Sequence, residues 1–159
     1  MHQSIINFTN IQNSIKENQE KTNNKNNIKI IAVSKTFEIS HINPLIDYGH
    51  TDFGENKVQE AIEKWSDIKL KNQNLSLHLV GKLQSNKTKL ALKIFDYIHS
   101  LDSEKLANKI SEEQKKIDKK PKLFIQVNIG NEDQKSGVNP NKLKSFYKYC
   151  LDKDLDVIG

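Results

Sequence analysis

Along this chain, groups of apolar residues at helical spacing alternate with short continuous apolar runs. Ile5, Phe8, Ile11 and Ile15 recur at intervals of three and four and predict an amphipathic first helix, followed by a polar, lysine-broken loop over 23–27. Residues 28–34 read as a buried strand. Ser40 is placed to cap a helix carrying Ile42, Leu45 and Ile46, with Gly49 where a terminating glycine belongs. A strand into Phe53 precedes a helix with Val58, Ala61, Ile62 and Trp65 on one face. The pattern continues with a strand over 75–80, a helix over 87–93 and a strand over 95–99. Asp102 is expected to cap the next helix, whose inner face is Leu106, Ala107, Ile110 and Ile117. A strand over 123–129 follows, Asn139-Pro140 opens a helix to Leu151, and residues 155–159 begin a sixth strand. Such alternation predicts a parallel α/β domain over 28–159, preceded by the helix and loop of 1–27. Periodicity alone does not choose between a doubly wound sheet and a barrel. No Gly-x-Gly-x-x-Gly follows the first strand, which removes the usual dinucleotide signature of the former.

Composition narrows the partners. All 25 basic residues are lysine, with no arginine for bidentate contacts to phosphates or base edges. The net charge of +5 therefore reads as a solvated lysine-rich surface rather than a specific nucleic-acid site. No segment reaches membrane-spanning length and no secretory leader is visible, so a soluble, cytoplasmic protein is expected. The single cysteine, Cys150, excludes an internal disulfide and falls at helical spacing with Phe146, Tyr147 and Leu151, as an inert core thiol would.

Candidate chemistry gathers where the strands end. Lys35 closes the run Ile30-Ile-Ala-Val-Ser34; a buried strand that ends in an ammonium needs either open solvent or a site that uses the amine. Asn56 and Gln59, three apart, share a helix face, and Glu55 is placed to cap that helix. His78 reads as a hydrogen-bonded interior histidine; with no second histidine or cysteine at ligand spacing, no metal is expected. Asn86 and Lys87 stand at a helix start suited to an anion, and Ser85 or Asn86 serves equally as a plain cap. His99, Ser100 and Asp102 match a hydrolytic triad by residue type only, because four residues at one strand end cannot reproduce its geometry.

Taken together, Ala32-Val-Ser-Lys-Thr36, Phe53-Gly-Glu-Asn-Lys-Val-Gln-Glu60, His78-Leu-Val-Gly-Lys-Leu-Gln-Ser-Asn-Lys87, His99-Ser-Leu-Asp102 and Gln126-Val-Asn-Ile129 with Lys135-Ser-Gly137 resemble the pyridoxal phosphate homeostasis protein family. That resemblance implies a (β/α)8 TIM barrel of the alanine racemase N-terminal type. It also implies Lys35 as the residue that holds pyridoxal 5′-phosphate as an imine, with cofactor contacts from Asn56, Gln59, His78, Asn86, Ser100, Asn128, Glu132 and Lys135. Imine formation needs a neutral amine, scarce for an ordinary lysine at neutral pH. Desolvation at a barrel mouth and the like charge of Lys135 would favour it, with Glu132 balancing charge and moving protons. The implied role is buffering or delivery of the cofactor to PLP-dependent apoenzymes without catalysis. A racemase-like enzyme and a silent fragment are the alternatives. The sequence departs from the family pattern at Leu77, where tryptophan is usual, and at Phe37-Glu38. At 159 residues against about 250 for a complete barrel, it is expected to hold about six of eight strands and to lack the phosphate loops of the last two. The exposed edges of strands one and six would make it aggregation-prone or dependent on another chain, and a complete barrel would be a monomer.

Overall fold

The computed structural model describes residues 2–130 and 136–159. Helix α1 (Gln3–Thr22) precedes β1 (Ala32–Val33), α2 (Ile39–Asp47), β2 (Asp52–Glu55), α3 (Val58–Lys71), β3 (Ser76–Leu79), α4 (Thr88–Ile94), β4 (Tyr97–Leu101), α5 (Glu104–Ile117), β5 (Lys122–Ile125), α6 (Leu143–Asp152) and β6 (Asp156–Val157). Single 3-10 turns at Ser85–Lys87 and Pro140–Lys142 lead into α4 and α6. All five strand pairings are parallel and the spatial order equals the chain order, β1 to β6. A doubly wound sheet would reverse that order at a switch point, so this sheet is wound in one direction, as in a (β/α)8 barrel of which it forms part. Among the described residues β1 pairs only with β2 and β6 only with β5, leaving both edges open.

The two faces of the sheet differ because strand residues alternate sides. Phe53, Leu77, Leu79, Ile98 and Leu123 lie on the helix-covered face and form one core with Ala61, Trp65, Leu92, Ile110, Phe146 and Cys150. The opposite, inner face carries Ile31, Val33 and Val80 gathered around Gly54, together with the polar residues described below. Gly54 has no side chain because a Cβ there would stand 3.2 Å from Ile31 and 3.3 Å from Val33.

Several expected boundaries move. The first strand is a two-residue ladder rather than seven residues, since as an edge it has one neighbour to pair with. Helix α2 starts at Ile39 with Glu38 before it, so Ser40 lies inside the helix and does not cap it. Ser103, not Asp102, caps α5, accepting from the Leu106 N–H. Gly49 does terminate α2: at φ +96° its N–H reaches Ile46 O, while the His50 N–H reaches Leu45 O, the paired bonds that close a helix end. Asn139 caps the turn into α6 with Pro140 first in it, as expected.

Candidate functional site

Lys35 stands one residue past β1, at the edge formed by the C-terminal strand ends, and its side chain is exposed with no ion pair or hydrogen bond among the described residues. The backbone that carries it is held tightly. The Ser34 N–H donates to Gly54 O (2.8 Å), its hydroxyl donates to Glu55 Oε1 (2.8 Å), and its carbonyl accepts from the Phe37 N–H (3.2 Å) and from Lys64 Nζ (2.9 Å). Thr36, the residue after the lysine, sits at φ +66°, a costly left-handed conformation for a β-branched residue. Glu55 is fully buried and its Oε1 also accepts from Lys64 Nζ (2.9 Å) and Trp65 Nε1 (3.0 Å). It is thus a strand-end hub and not a cap of α3, which begins after Lys57 without a side-chain cap.

The other expected contacts distribute unevenly. Asn56 stands just past β2 and is crowded by Gly81, where a Cβ would lie 2.2 Å from Asn56 O; with Val80 N–H donating to Glu55 O (2.9 Å), the ends of β2 and β3 are drawn together. Gln59 is exposed and donates along its own helix to Glu63 (3.0 Å). Asn86 is exposed in the turn before α4, whose cap position is Gln84 and makes no side-chain bond, so neither Ser85 nor Asn86 caps it. Ser100 is buried at a register shift between Ile98 and Leu101, its Oγ without a partner among the described residues. Asn128 lies beyond β5, its N–H on Val138 O (3.0 Å) and its backbone so close to Gly137 (φ +134°) that a Cβ there would approach to 2.7 Å. Glu132 and Lys135 fall outside the described residues.

A polar line crosses the inner face. Lys29 Nζ donates to Asp52 Oδ1 (2.8 Å), His78 Nε2 meets the same oxygen at 3.1 Å, and His78 Nδ1 meets His99 Nε2 at 3.0 Å. His78 stacks on Tyr97 with ring centroids 4.2 Å apart, and His99 stacks on Phe124 at 4.4 Å. Burial pushes the His78 imidazolium below its ordinary range despite the opposing pull of Asp52. Burial, and then the neighbouring His78, bring His99 down to about 4. For Asp52, burial alone would raise the carboxyl, but bonds from Lys29, Thr51 and His78 outweigh it and hold the group low. With both rings neutral and Asp52 ionised, hydrogen-bond logic assigns the protons. His78 carries its hydrogen on Nε2, and His99 Nε2–H donates to His78 Nδ1. The expectation of an interior, hydrogen-bonded His78 fits these contacts. The His78–His99 and Asp52–His78 contacts were not read from the sequence. The available signal was that both histidines sit in strands between core residues, Leu77 and Leu79 for one and Ile98 for the other, so both must face the opposite side.

Residues 6–159 match the family described as alanine racemase, N-terminal domain. The chain is 40% identical over 139 residues to the pyridoxal phosphate homeostasis protein of Pasteurella multocida, covering 87% of this chain and 58% of that protein. It is 41% identical over 132 residues to the protein of the same name from Haemophilus influenzae, covering 82% and 55%. It therefore spans somewhat more than half the length of these curated relatives. PipY of Synechococcus elongatus with PLP bound superposes with a TM-score of 0.73 at 34% identity, over 89% of this chain and 65% of PipY. An alanine racemase of Clostridium difficile superposes with a TM-score of 0.63 at 16% identity over 91% of this chain and 37% of its own, a likeness of fold.

Proposed function

Since the chain belongs to the alanine racemase N-terminal domain family, we propose that it binds pyridoxal 5′-phosphate covalently through Lys35 Nζ and serves to hold and release that cofactor rather than to turn over a substrate. The observation that carries this reading is an exposed amine, without a bonding partner among the described residues, just past the C-terminal end of β1 and directly after Ser34, whose N–H, hydroxyl and carbonyl are all hydrogen-bonded. In barrel folds that end of the sheet is where ligands are held. When bound, the cofactor would supply an electrophilic carbonyl, and Lys35 Nζ would be the group that holds it.

The donor set is compatible with such a ligand: the Lys35 amine after β1, and amides at Asn56, just past β2, and Asn128, beyond β5, all at C-terminal strand ends of the one sheet. Glu132 keeps its proposed role of charge balance and proton movement, and Lys135 that of a like charge favouring the neutral amine of Lys35. Gln59 and Ser100, one bonded along its helix and the other buried, are poor first contacts as they stand. His78 acts at one remove, fixing the inner face beneath the rim. The names of the Pasteurella and Haemophilus relatives and the PLP-bound PipY support the cofactor assignment. Delivery to PLP-dependent apoenzymes is the use such a store would have. A cytoplasmic setting accords with the free, buried Cys150 and with the absence, among the described residues, of a helix long and apolar enough to cross a membrane.

A spectral titration tests the reading. Adding pyridoxal phosphate to the wild-type chain should produce a visible absorbance band that borohydride bleaches, and Lys35→Ala should lose it. Equal bands in both proteins would end the assignment of Lys35.

A further inference from the structure

We infer that Glu55 is a positioning residue for Lys35: a buried carboxylate that locks Ser34 to helix α3 and thereby fixes the turn presenting the lysine. This rests on the reading of Lys35 given above. One oxygen of Glu55 accepts from three donors, Ser34 Oγ (2.8 Å), immediately after β1, and Lys64 Nζ (2.9 Å) and Trp65 Nε1 (3.0 Å) on α3. Lys64 closes the ring by also donating to Ser34 O. All polar groups of Ser34, the residue immediately before Lys35, are therefore engaged.

Two features point beyond ordinary stabilisation. The second carboxylate oxygen, Oε2, is buried with no partner among the described residues, so these leave the carboxylate only half satisfied. Thr36, on the other side of Lys35, occupies a strained conformation that persists only where its surroundings over-determine it. The clamp on Ser34 supplies that constraint from one side, and the Phe37 N–H bond to Ser34 O closes it from the other. A lysine on such a turn has its Cα direction set before any ligand arrives, which selects it over the many mobile surface lysines for reaction with an aldehyde.

The test is site selectivity. The whole 159-residue chain is treated with substoichiometric pyridoxal phosphate, reduced with borohydride, and the share of pyridoxyl label on Lys35 is measured by peptide mass mapping. Glu55→Gln and Ser34→Ala should lower that share about tenfold or more, given how steeply reactivity falls with small misplacements. Ser34→Thr, which keeps the hydroxyl, should restore it. Asp96→Asn removes a comparable carboxylate, bonded to Lys69, Lys119 and the Leu77 N–H at the other end of the strands. It should lower Tm but leave the share unchanged. Should Glu55→Gln fail to fold, Ser34→Ala, which deletes a single oxygen, still decides the matter. Wild-type selectivity in Ser34→Ala, or an equal loss in Asp96→Asn, overturns the positioning role. Unselective labelling of the wild type itself would instead overturn the Lys35 reading.

Discussion

Acidification from pH 7 to 4.5 should weaken the fold through His99. In the unfolded chain its ring binds a proton near the ordinary value of about 6.5, but in the folded protein only near about 4, because burial and then His78 oppose the charge. The unfolded state therefore binds more protons throughout that window. The contribution is fully present above pH 6.5 and is lost as the pH falls towards 4. Converted in full, the difference is ~3 kcal/mol; with water reaching part of the ring, the expected loss is ~1–2 kcal/mol. His99→Phe keeps an aromatic ring to stack on Phe124, 4.4 Å away, while deleting the titrating group. It should cost ~1 kcal/mol at pH 8, through the lost bond to His78 Nδ1. Urea unfolding at pH 8, 6.5, 5.5 and 4.5 measures both effects. His50 and His78, also lowered by burial, leave a residual slope in the variant. Parallel stability profiles for the two proteins between pH 6.5 and 4.5 would refute the linkage.

Three further outcomes are expected. Trp65→Ala, at a fully buried ring that also donates to Glu55, should cost ~3–5 kcal/mol in denaturant unfolding. Gly81→Ala should cost more than ~2 kcal/mol, read as a fall in Tm, because its Cβ would stand 2.2 Å from Asn56 O and must push apart the ends of β2 and β3. Cys150, buried with its thiol raised to about 11 chiefly by desolvation, should be silent to a thiol reagent at pH 8 in the folded protein and react at once in denaturant.

The alternation of six strands and six helices was legible because each helix after the first strand carries one apolar face and each strand a short apolar run. Gly49 and Asn139-Pro140 were legible as stop and start signals, since left-handed backbone and a missing N–H restrict where those residues fit. The exposed place of Lys35 past a strand end was legible for a similar reason, as a charged residue closing an apolar run. The caps at Ser40 and Asp102 were misplaced because neighbouring polar residues compete for the same position, and only the backbone path selects Glu38 and Ser103. Glu55, read as a cap, is a hub instead, because its partners Ser34 and Lys64 lie 21 and 9 residues away and meet it only through strand register and helix packing. The line from Lys29 to His99 escaped notice for the same reason: three strands and the segment before β1 supply one residue each, so no local spacing records it.

The most direct trial of the account is peptide mass mapping of the wild-type chain after limiting pyridoxal phosphate and borohydride. The account predicts one dominant pyridoxyl adduct, on Lys35. Adducts spread over the 25 lysines in proportion to their exposure would contradict it.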